Sequence, residues 1–273
     1  MKDKVVVITG AGGVLCSTIA KAYAEKGAKI AVLDINQAAA QAVADEIVAA
    51  GGIAKAYATN CLEKASIAQT RDDIERDLGL CDLLINGAGG NHPKGTATHD
   101  TFDLQEDTSE IKTFFDLEAD GIDFVFRLNF LATLLTTQVF AKDMIGRGGN
   151  VINISSMNAF RPLTRIPAYS GAKAAVSNFT QWLAVYFAKS NIRVNAIAPG
   201  FFVTNQNRAL LFDDQGNPTA RSRKILAGTP MGRFGEASEL LGTLFYLSDD
   251  RAAGFVTGVV IPIDGGFSAY SGV

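Results

Sequence analysis

Short apolar runs rich in β-forming residues alternate with longer helical patterns along the chain, and this rhythm restricts the fold more than any other feature. The first run spans residues 5–9 and leads into a glycine-rich turn and a helical pattern. Further runs span residues 30–34, 53–58, 83–86, 151–155, 193–198 and 259–263. Such alternation is typical of a parallel sheet covered by helices. We therefore predict an α/β fold with a doubly wound parallel sheet of about seven strands and helices on both faces.

Two segments are longer than a tight turn between a strand and a helix requires. Residues 90–121 are polar and acidic, and residues 200–234 form a second excursion. Both follow a predicted strand, so both should lie at the carboxyl edge of the sheet, where open α/β folds bind ligands. We expect substrate-side insertions within one catalytic domain, residues 1–273, because no repeat, low-complexity tract or linker divides the chain. Harmless surface insertions are the alternative.

The composition argues against several classes of protein. With 48% hydrophobic and 19% charged residues, the chain has the balance of a compact protein and not of a disordered one. A formal net charge of −3 argues against nucleic acid as a partner, and no uninterrupted apolar run approaches the roughly 20 residues that span a bilayer. The three cysteines match no zinc motif. We expect no metal site, no membrane partner, and reduced thiols in a cytoplasmic protein.

The end of the first predicted strand carries the first sign of a ligand. Thr9 is followed by a glycine-rich turn, and Val14 then opens a helix. Such a turn at a helix N-terminus lets backbone N–H groups approach a pyrophosphate. Asp34 ends the second strand, where a carboxylate can accept hydrogen bonds from an adenosine ribose and would repel a 2′-phosphate. These residues favour NAD over NADP, and a helix-capping or solvated aspartate is the alternative for Asp34.

A second group of residues predicts proton transfer. Tyr169 and Lys173 are four residues apart, so in a helix their side chains lie one turn apart on the same face. A lysine ammonium near a phenol favours the phenolate and lowers the phenol pKa. A phenol tuned in this way can exchange a proton with an alcohol. The serine pair Ser155 and Ser156 lies upstream, and the combination with a nucleotide-binding start outweighs chance.

These motifs, in this order and spacing, resemble those of the short-chain dehydrogenase/reductase family over nearly the whole chain. The matching positions are Thr9 and Gly10 of the first glycine motif, Asn86, Ala88 and Gly89 after the fourth strand, Asn129, Ser156, Tyr169 and Lys173 of the catalytic tetrad, and Pro199, Gly200 and Thr204 near the nicotinamide amide. The resemblance implies a single-domain Rossmann fold that is active as a homotetramer or homodimer.

The resemblance also implies hydride transfer between a nicotinamide and a secondary alcohol or its ketone. Tyr169 would be the general acid/base, and Lys173 would lower its pKa and hold the nicotinamide ribose. Ser156 would hydrogen-bond the reacting oxygen, and Asn129 would help to order a water that relays the proton. The cofactor-binding residues would be Gly10, Gly12, Gly13, Val14, Leu15, Asp34, Asn60, Cys61, Asn86, Gly87, Ala88, Gly89, Tyr169, Lys173, Pro199, Gly200, Phe202 and Thr204.

The chain departs from the family pattern in the cofactor motifs. The departures are Val14 and Cys16 in place of two glycines, Gly87 in place of the second asparagine of Asn-Asn-Ala-Gly, and Asn60 in place of an aspartate facing the adenine. A β-branched valine is awkward if its position needs a positive φ. We hypothesise that Gly12 and Gly13 supply the missing flexibility, and that the amide oxygen of Asn60 still accepts a hydrogen bond.

Within the family, the chain looks like the bacterial D-mannonate oxidoreductase (fructuronate reductase) group in residues 89–93, 155–160, 201–208 and 267–273. Arginine suits carboxylate binding and amides suit hydroxyl groups, so a sugar acid fits the side chains near the tetrad. The candidate substrate-binding residues are Asn158, Arg161, Arg165, Asn205, Gln206, Asn207, Arg208, His92 and Lys94. For each arginine, and for His92 and Lys94, a solvated surface role is an equal alternative.

Other functions remain open at this point. Within the enzyme class, the alternatives are a reductase of another polyol or ketone, such as gluconate or an acyl ketone. Outside it, the alternative is a non-catalytic NAD-binding module, against which the complete tetrad argues. The apolar residues of the predicted helix 168–188 fit an oligomer interface and core packing equally well.

Overall fold

The computed structural model describes residues 1–103, 111–203 and 208–272. Its strands are β1 (Val5–Thr9), β2 (Lys29–Asp34), β3 (Ile53–Ala58), β4 (Leu83–Asn86), β5 (Gly149–Ile154), β6 (Ile192–Pro199) and β7 (Val260–Ile263). They form one parallel sheet in the order β3-β2-β1-β4-β5-β6-β7. The direction of winding reverses between β1 and β4, and ligands of open α/β sheets bind at such a reversal. The predicted single-domain Rossmann fold is confirmed.

Helices cover both faces of the sheet. The helices are α1 (Val14–Glu25), α2 (Gln37–Ala49), α3 (Lys64–Asp77), α4 (Ala119–Phe126), α5 (Ala132–Met144), α6 (Pro167–Phe187), α7 (Arg208–Leu211), α8 (Ala220–Ala227) and α9 (Leu241–Ser248). A short π-helical segment, Arg127–Leu131, joins α4 to α5. Because helices lie on both faces, the central strands β1 and β4 are apolar at every residue except the last, which explains their continuous runs of branched side chains.

The core has one layer on each side of the sheet. Val6 and Ile8 of β1 point to the layer formed with α1, α2 and α9, whereas Val5 and Val7 point to the layer formed with α3, α5 and α6. Tyr23 is fully buried in the first layer, and its hydroxyl donates a hydrogen bond to the Leu244 carbonyl at 3.0 Å. Each such large apolar side chain contributes roughly 1.5–3 kcal/mol on burial. The two layers hold the strand ends, and thus the site, in fixed positions.

The first long segment is tied to the helices that follow it. The Lys94 ammonium pairs with the carboxylates of Glu118 at 2.9 Å and Asp120 at 2.7 Å, at the start of α4. The Asp100 carboxylate accepts from Arg165 at 2.7 Å, just before α6, and from Lys224 of α8 at 2.9 Å. Asp100 therefore joins both long segments at the carboxyl edge of the sheet, where they were predicted to lie.

One continuous helical stretch of the described residues, Ala119–Met144, has the length and mean hydropathy, 1.4, of a membrane span. Half of its most apolar window is buried inside the protein, and Asn129 near its centre is fully buried. Core helices of folded domains commonly have these properties, so the stretch is weak evidence for a membrane segment.

Candidate active site

A cleft of about 630 Å³ opens at the carboxyl edge of the sheet. Its walls are formed by the turns after β1, β2, β3, β4, β5 and β6 together with α4 and α6. The predicted site residues that line it are Gly10, Gly13, Val14, Leu15, Asp34, Asn60, Cys61, Gly87, Ala88, Gly89, Ser156, Tyr169, Lys173, Pro199 and Gly200. The structure therefore brings most of the predicted cofactor residues and three members of the tetrad to one cleft.

The turn after β1 uses its glycines for different purposes. Gly10 has φ +65°, a conformation that favours glycine, and a side chain there would meet the Ala88 backbone at 3.0 Å. Gly12 and Gly13 have no positive φ, and Val14 is the first residue of α1. Our hypothesis about compensating flexibility was therefore wrong: Val14 is in a helical position that any residue adopts, and Gly12 and Gly13 supply space.

The N-terminus of α1 is open toward the cleft. Gly13 occupies the cap position without a side-chain hydrogen bond, and the first turn of the helix contains no acidic residue. The first N–H groups of a helix have no partner within it and carry a partial positive charge, so they attract anions. A dinucleotide pyrophosphate fits this end of the helix, as the glycine motif predicted.

Asp34 is held at the mouth of the cleft by backbone donors. Gly12 donates its N–H to one carboxylate oxygen at 3.0 Å, and Asn36 donates to the other at 2.9 Å. A side chain at position 12 would lie 2.8 Å from the Ala39 Cβ and 3.0 Å from Asp34, so glycine is required there. The carboxylate is thus fixed where it can accept further hydrogen bonds from a ribose.

Tyr169 and Lys173 lie in the cleft on the first turns of α6. Lys173 is 4% exposed, its ammonium donates to the Ile154 carbonyl at 2.8 Å, and its nitrogen lies 5.6 Å from the centre of the Tyr169 ring. Burial lowers the pKa of Lys173 to about 8. The lysine is positioned to donate to a ligand in the cleft with the N–H groups that Ile154 does not use.

The pKa of Tyr169 is raised in this structure, and the lowering expected from Lys173 stays a prediction. Burial raises the pKa of Tyr169, and a hydrogen bond with Ser156 opposes that rise. Desolvation of the phenolate is therefore the largest influence on this pKa. Ser156, which is 7% exposed, also accepts a hydrogen bond from the Asn158 N–H at 3.2 Å. The hydroxyl groups of Tyr169 and Ser156 are together at the end of the cleft where a reacting oxygen would bind.

Ser155, the other member of the serine pair, has a different task. Its hydroxyl donates to the Lys173 carbonyl at 3.1 Å and lies 2.7 Å from the Ser177 hydroxyl. These bonds connect the end of β5 to the middle of α6. Ser155 thereby anchors the helix turn that carries Lys173.

Asn129 lies in the π-helical segment between α4 and α5 and is fully buried. Its amide nitrogen donates to the carbonyls of Gly90 at 2.7 Å and Val125 at 2.8 Å, and its amide oxygen accepts from the Gly90 N–H at 3.2 Å. A side chain at Gly89 would lie 2.6 Å from the Asn129 oxygen. The asparagine thus holds the turn after β4, and its role in a proton relay stays a prediction.

Two predicted cofactor residues have other contacts, and a third lies outside the described residues. The Asn86 amide is buried and bonds to Thr137 at 3.0 Å and Asn153 at 2.9 Å, so its side chain supports the core and does not face the cleft. Phe202 is buried and pairs with the backbone of Gly235. Thr204 lies outside the described residues.

Asn60 does line the cleft, but its amide is already used in a turn. Its oxygen accepts from the Leu62 N–H at 3.0 Å, and its nitrogen donates to Glu63 at 2.8 Å. The oxygen keeps a second lone pair, so the predicted hydrogen bond from an adenine is still available. Burial raises the pKa of the neighbouring Cys61 thiol to about 12, which keeps it protonated.

The candidate substrate residues are not brought together. Arg165 pairs with Asp100, the Arg208 guanidinium lies 5.4 Å from the centre of the Phe212 ring, and Arg161 donates to the Ser268 carbonyl at 3.0 Å. These arginines, His92, Lys94 and Asn158 lie outside the wall of the cleft. Asn205, Gln206 and Asn207 lie outside the described residues.

Two of the remaining candidates have informative surroundings. The His92 ring lies 5.2 Å from the ring of Phe124, which lines the cleft, so the histidine is at the rim. Asn158 is 6% exposed, and its amide oxygen is buried without a hydrogen-bond partner among the described residues. A buried acceptor of this kind is normally satisfied by a donor from water or a ligand.

Comparison with known proteins agrees with this geometry. The family model described as short chain dehydrogenase matches residues 4–214, which is most of the chain. The chain belongs to the short-chain dehydrogenase family. It is accordingly an oxidoreductase, as the sequence predicted.

Similar members of the short-chain dehydrogenase family cover the whole chain. An uncharacterized oxidoreductase of Haemophilus influenzae is 64% identical over 276 residues, which cover 100% of this chain and 96% of the relative. A crystal structure from Haemophilus influenza, provisionally named D-mannonate oxidoreductase and containing bound NAD, has a TM-score of 0.97 and 62% identity, covering 100% of this chain and 98% of that one. A gluconate 5-dehydrogenase from Burkholderia cenocepacia, in complex with NADP and tartrate, has a TM-score of 0.83 and 30% identity, covering 99% and 97%.

Sequence reasoning missed several residues of this short-chain dehydrogenase cleft. The additional lining residues are Ile35, Thr59, Leu62, Gly90, Phe124, Leu128, Ile154 and Ser155. Most directly follow a strand end or neighbour a predicted site residue, and this adjacency was an available signal. Phe124 had none, because α4 begins inside a segment that looks like an acidic loop.

Proposed function

We propose that this short-chain dehydrogenase is an NAD-dependent oxidoreductase that acts on a secondary alcohol or ketone of a sugar acid, D-mannonate or D-fructuronate. One observation carries the proposal. A single cleft has Tyr169, Ser156 and Lys173 at one end and the backbone-anchored Asp34 carboxylate at the other. Proton transfer and recognition of a nucleotide ribose therefore take place within reach of one bound dinucleotide.

The cofactor choice rests on Asp34. A carboxylate held by two backbone N–H groups favours ribose hydroxyls and repels a 2′-phosphate, so NAD is the expected cofactor. The relative with 62% identity contains NAD, whereas the relative with 30% identity contains NADP. The relative that is more similar to this chain is therefore the one that contains NAD, which supports NAD as the cofactor.

The residues of the cleft have defined tasks in this proposal. A bound nicotinamide cofactor would supply the hydride-transfer chemistry in both directions of the reaction. In oxidation, Tyr169 takes the proton of the substrate hydroxyl, and in reduction it donates that proton to the new alkoxide. Ser156 hydrogen-bonds the same oxygen, and Lys173 holds the cofactor ribose with the N–H groups that Ile154 does not use.

A sugar acid is supported by two relatives, one provisionally named D-mannonate oxidoreductase and the other a gluconate 5-dehydrogenase. Among the arginines, Arg161 is the best candidate for a carboxylate, because it donates to a neutral carbonyl, that of Ser268, and not to a carboxylate. Arg165 is already neutralised by Asp100. Arg161→Ala should raise KM for the acid at least about tenfold, since a charge-assisted hydrogen bond is lost. Unchanged KM in the alanine variants of Arg161, Arg165 and Arg208 would remove the proposed clamp.

In the direct test, the purified protein is incubated with D-mannonate and NAD, and separately with D-mannonate and NADP, and the absorbance of the reduced cofactor is measured. Rapid reduction of NAD, without reduction of NADP, would support both D-mannonate as the substrate and the role of Asp34 in cofactor choice. No change in absorbance with either cofactor, once NAD binding has been confirmed by titration, rejects D-mannonate as the substrate. A panel of polyols and ketones would then be tested. Gluconate comes first on that panel, because a gluconate 5-dehydrogenase shares this fold at 30% identity. NAD binding without turnover of any of these compounds would favour a non-catalytic NAD-binding module.

We also propose a homotetramer or homodimer. Trp182, Val185 and Tyr186 on α6 are 55%, 80% and 66% exposed, which is unusual for such large apolar side chains on one helix face. A second copy of the same helix would cover them. A small-molecule substrate without nucleic acid or membrane partners, and a cytoplasmic location, stay predictions from composition and thiol content.

A further inference from the structure

Two departures from the family's cofactor motifs meet in space. Cys16 lies in the first turn of α1, and Gly87 is the first residue after β4. Both line the cleft. A side chain at position 87 would overlap with the Cys16 sulfur and would lie 2.8 Å from the Thr9 carbonyl oxygen. The thiol therefore fills the space that the missing side chain of Gly87 leaves free.

The surrounding contacts leave little freedom to relieve that overlap. The Thr9 hydroxyl accepts from the N–H groups of Gly87 at 3.0 Å and Ala88 at 3.1 Å, which pins the turn after β4 to the end of β1. A side chain at Gly10 would meet the Ala88 Cα at 3.0 Å, so the two turns also contact each other through their backbones. Interiors packed this closely transmit a change of one atom to their neighbours.

The requirement for glycine at position 87 is steric and not conformational. Gly87 is absent from the glycines with positive φ, so its backbone conformation is one that other residues adopt. Cys16 is 7% exposed, and burial raises the pKa of its thiol to about 12. The sulfur therefore acts as a small, neutral packing group at this contact.

We infer that Cys16 and Gly87 are a size-matched pair that fixes the start of α1 against the turn after β4 and thereby positions the dinucleotide. These elements provide the helix N-terminus and one wall of the cleft, so their separation sets the cleft's width at its centre. This inference rests on the proposed dinucleotide binding. It adds two positioning residues, whose side-chain sizes are interdependent, to the site.

A double-mutant cycle tests the pair with Gly87→Ala, Cys16→Ala and the double variant. The readouts are the Kd for NAD, at a temperature where circular dichroism shows every variant to be folded, and the melting temperature. Gly87→Ala should weaken NAD binding at least about tenfold, because the new methyl group displaces the sulfur and α1 with it. Cys16→Ala alone should weaken NAD binding by about twofold to fivefold.

The double variant decides the question. Without the sulfur, the Cys16 Cβ is 3.7 Å from the added methyl position, an ordinary contact, while the Thr9 oxygen remains at 2.8 Å. The double variant should therefore bind NAD at least about threefold more tightly than Gly87→Ala alone. Gly242→Ala, in α9 and outside the wall of the cleft, is the control, because no neighbouring atom lies within 4 Å of the added methyl position and its NAD affinity should stay within about twofold of wild type.

Each outcome of the cycle is informative. If the double variant changes Kd by the product of the two single effects, the substitutions act independently, and the inferred pairing is overturned. Coupling in the melting temperature with unchanged Kd in all variants would show a purely structural contact and overturn the positioning role. Failure of the wild-type protein to bind NAD would instead reject the proposed cofactor, and only then the role inferred from it.

Discussion

At the scale of single residues, Tyr169 and Lys173 show how burial acts on opposite charge types. Burial disfavours the charged form of each, so the pKa of the tyrosine rises and the pKa of the lysine falls to about 8. Both shifts work against a permanently ionised pair. Hydrogen bonds that a ligand in the cleft forms with the phenolate or the ammonium would favour these charged forms and oppose both shifts.

Removal of the Tyr169 hydroxyl should abolish most turnover without unfolding the protein. Tyr169→Phe keeps the ring that packs beside Ala168 and Ala172 but removes the group that exchanges the proton. We expect kcat to fall at least about 100-fold for any substrate that the wild type converts, with the Kd for NAD within about twofold. Tyr186→Phe, which removes an exposed hydroxyl from the same helix, is the control. A wild-type rate in Tyr169→Phe would eliminate the tyrosine mechanism.

Lys173 predicts a pH dependence of stability in the cofactor-free protein. Its folded pKa, about 8, is below its ordinary 10.5, so the unfolded chain binds more protons between these two values. Stability should therefore rise with pH across this window, and below pH 8 the buried charge is fully destabilising. The full shift corresponds to about 3 kcal/mol.

The comparison of Lys173→Met with wild type isolates this contribution. In urea unfolding between pH 7 and pH 10.5, the free energy of unfolding of the wild type should increase relative to that of Lys173→Met as the pH rises. Lys189→Met, an exposed substitution after the same helix, should follow the wild type. A difference between Lys173→Met and wild type that stays constant across this window would show that the lysine is not strongly perturbed.

At the scale of elements, Asn129 connects a helix irregularity to the cleft. The π-helical segment Arg127–Leu131 places its amide against both backbone groups of Gly90. Asn129→Ala leaves these buried groups without partners and should cost about 3 kcal/mol of the free energy of unfolding. Thr133→Val, which removes one buried hydroxyl bond to the Asn129 carbonyl, should cost only about 1 kcal/mol. Equal losses in urea unfolding would contradict the supporting role of Asn129.

The elements differ in how far their sequence predicts them. β1 and β4 begin and end where their apolar runs do, because strands buried on both faces leave a continuous local signature. The start of α4 inside an acidic segment and the π-helical segment leave none. Their conformations depend on contacts with Gly90 and Lys94, which come from a different part of the chain.

At the scale of the whole molecule, contacts between distant parts of the chain also limit how much of the site can be predicted from the sequence. The tetrad and the glycine turn were predictable because family spacing encodes them, and the sheet brings their strand ends together. The pairing of Arg165 with Asp100 and the contact of Cys16 with Gly87 were not, because each joins residues that are distant in sequence. Which charged side chains are free for a substrate is therefore a property of the folded molecule and not of the motif.

The exposed aromatic face of α6 predicts how the protein assembles into an oligomer. The Trp182 ring stacks on Tyr186 at 4.9 Å and on Phe179 at 6.1 Å, so the face is a continuous aromatic surface. Trp182→Glu would place a charge at its centre, and burying an unpaired charge in an interface is strongly unfavourable. We expect light scattering after size exclusion to show a smaller species for this variant than for wild type. Phe115→Glu changes another exposed aromatic side chain, in the segment before α4, and should keep the wild-type mass. A monomeric wild type, or an unchanged mass in Trp182→Glu, would leave this face without a second copy of the chain as its partner.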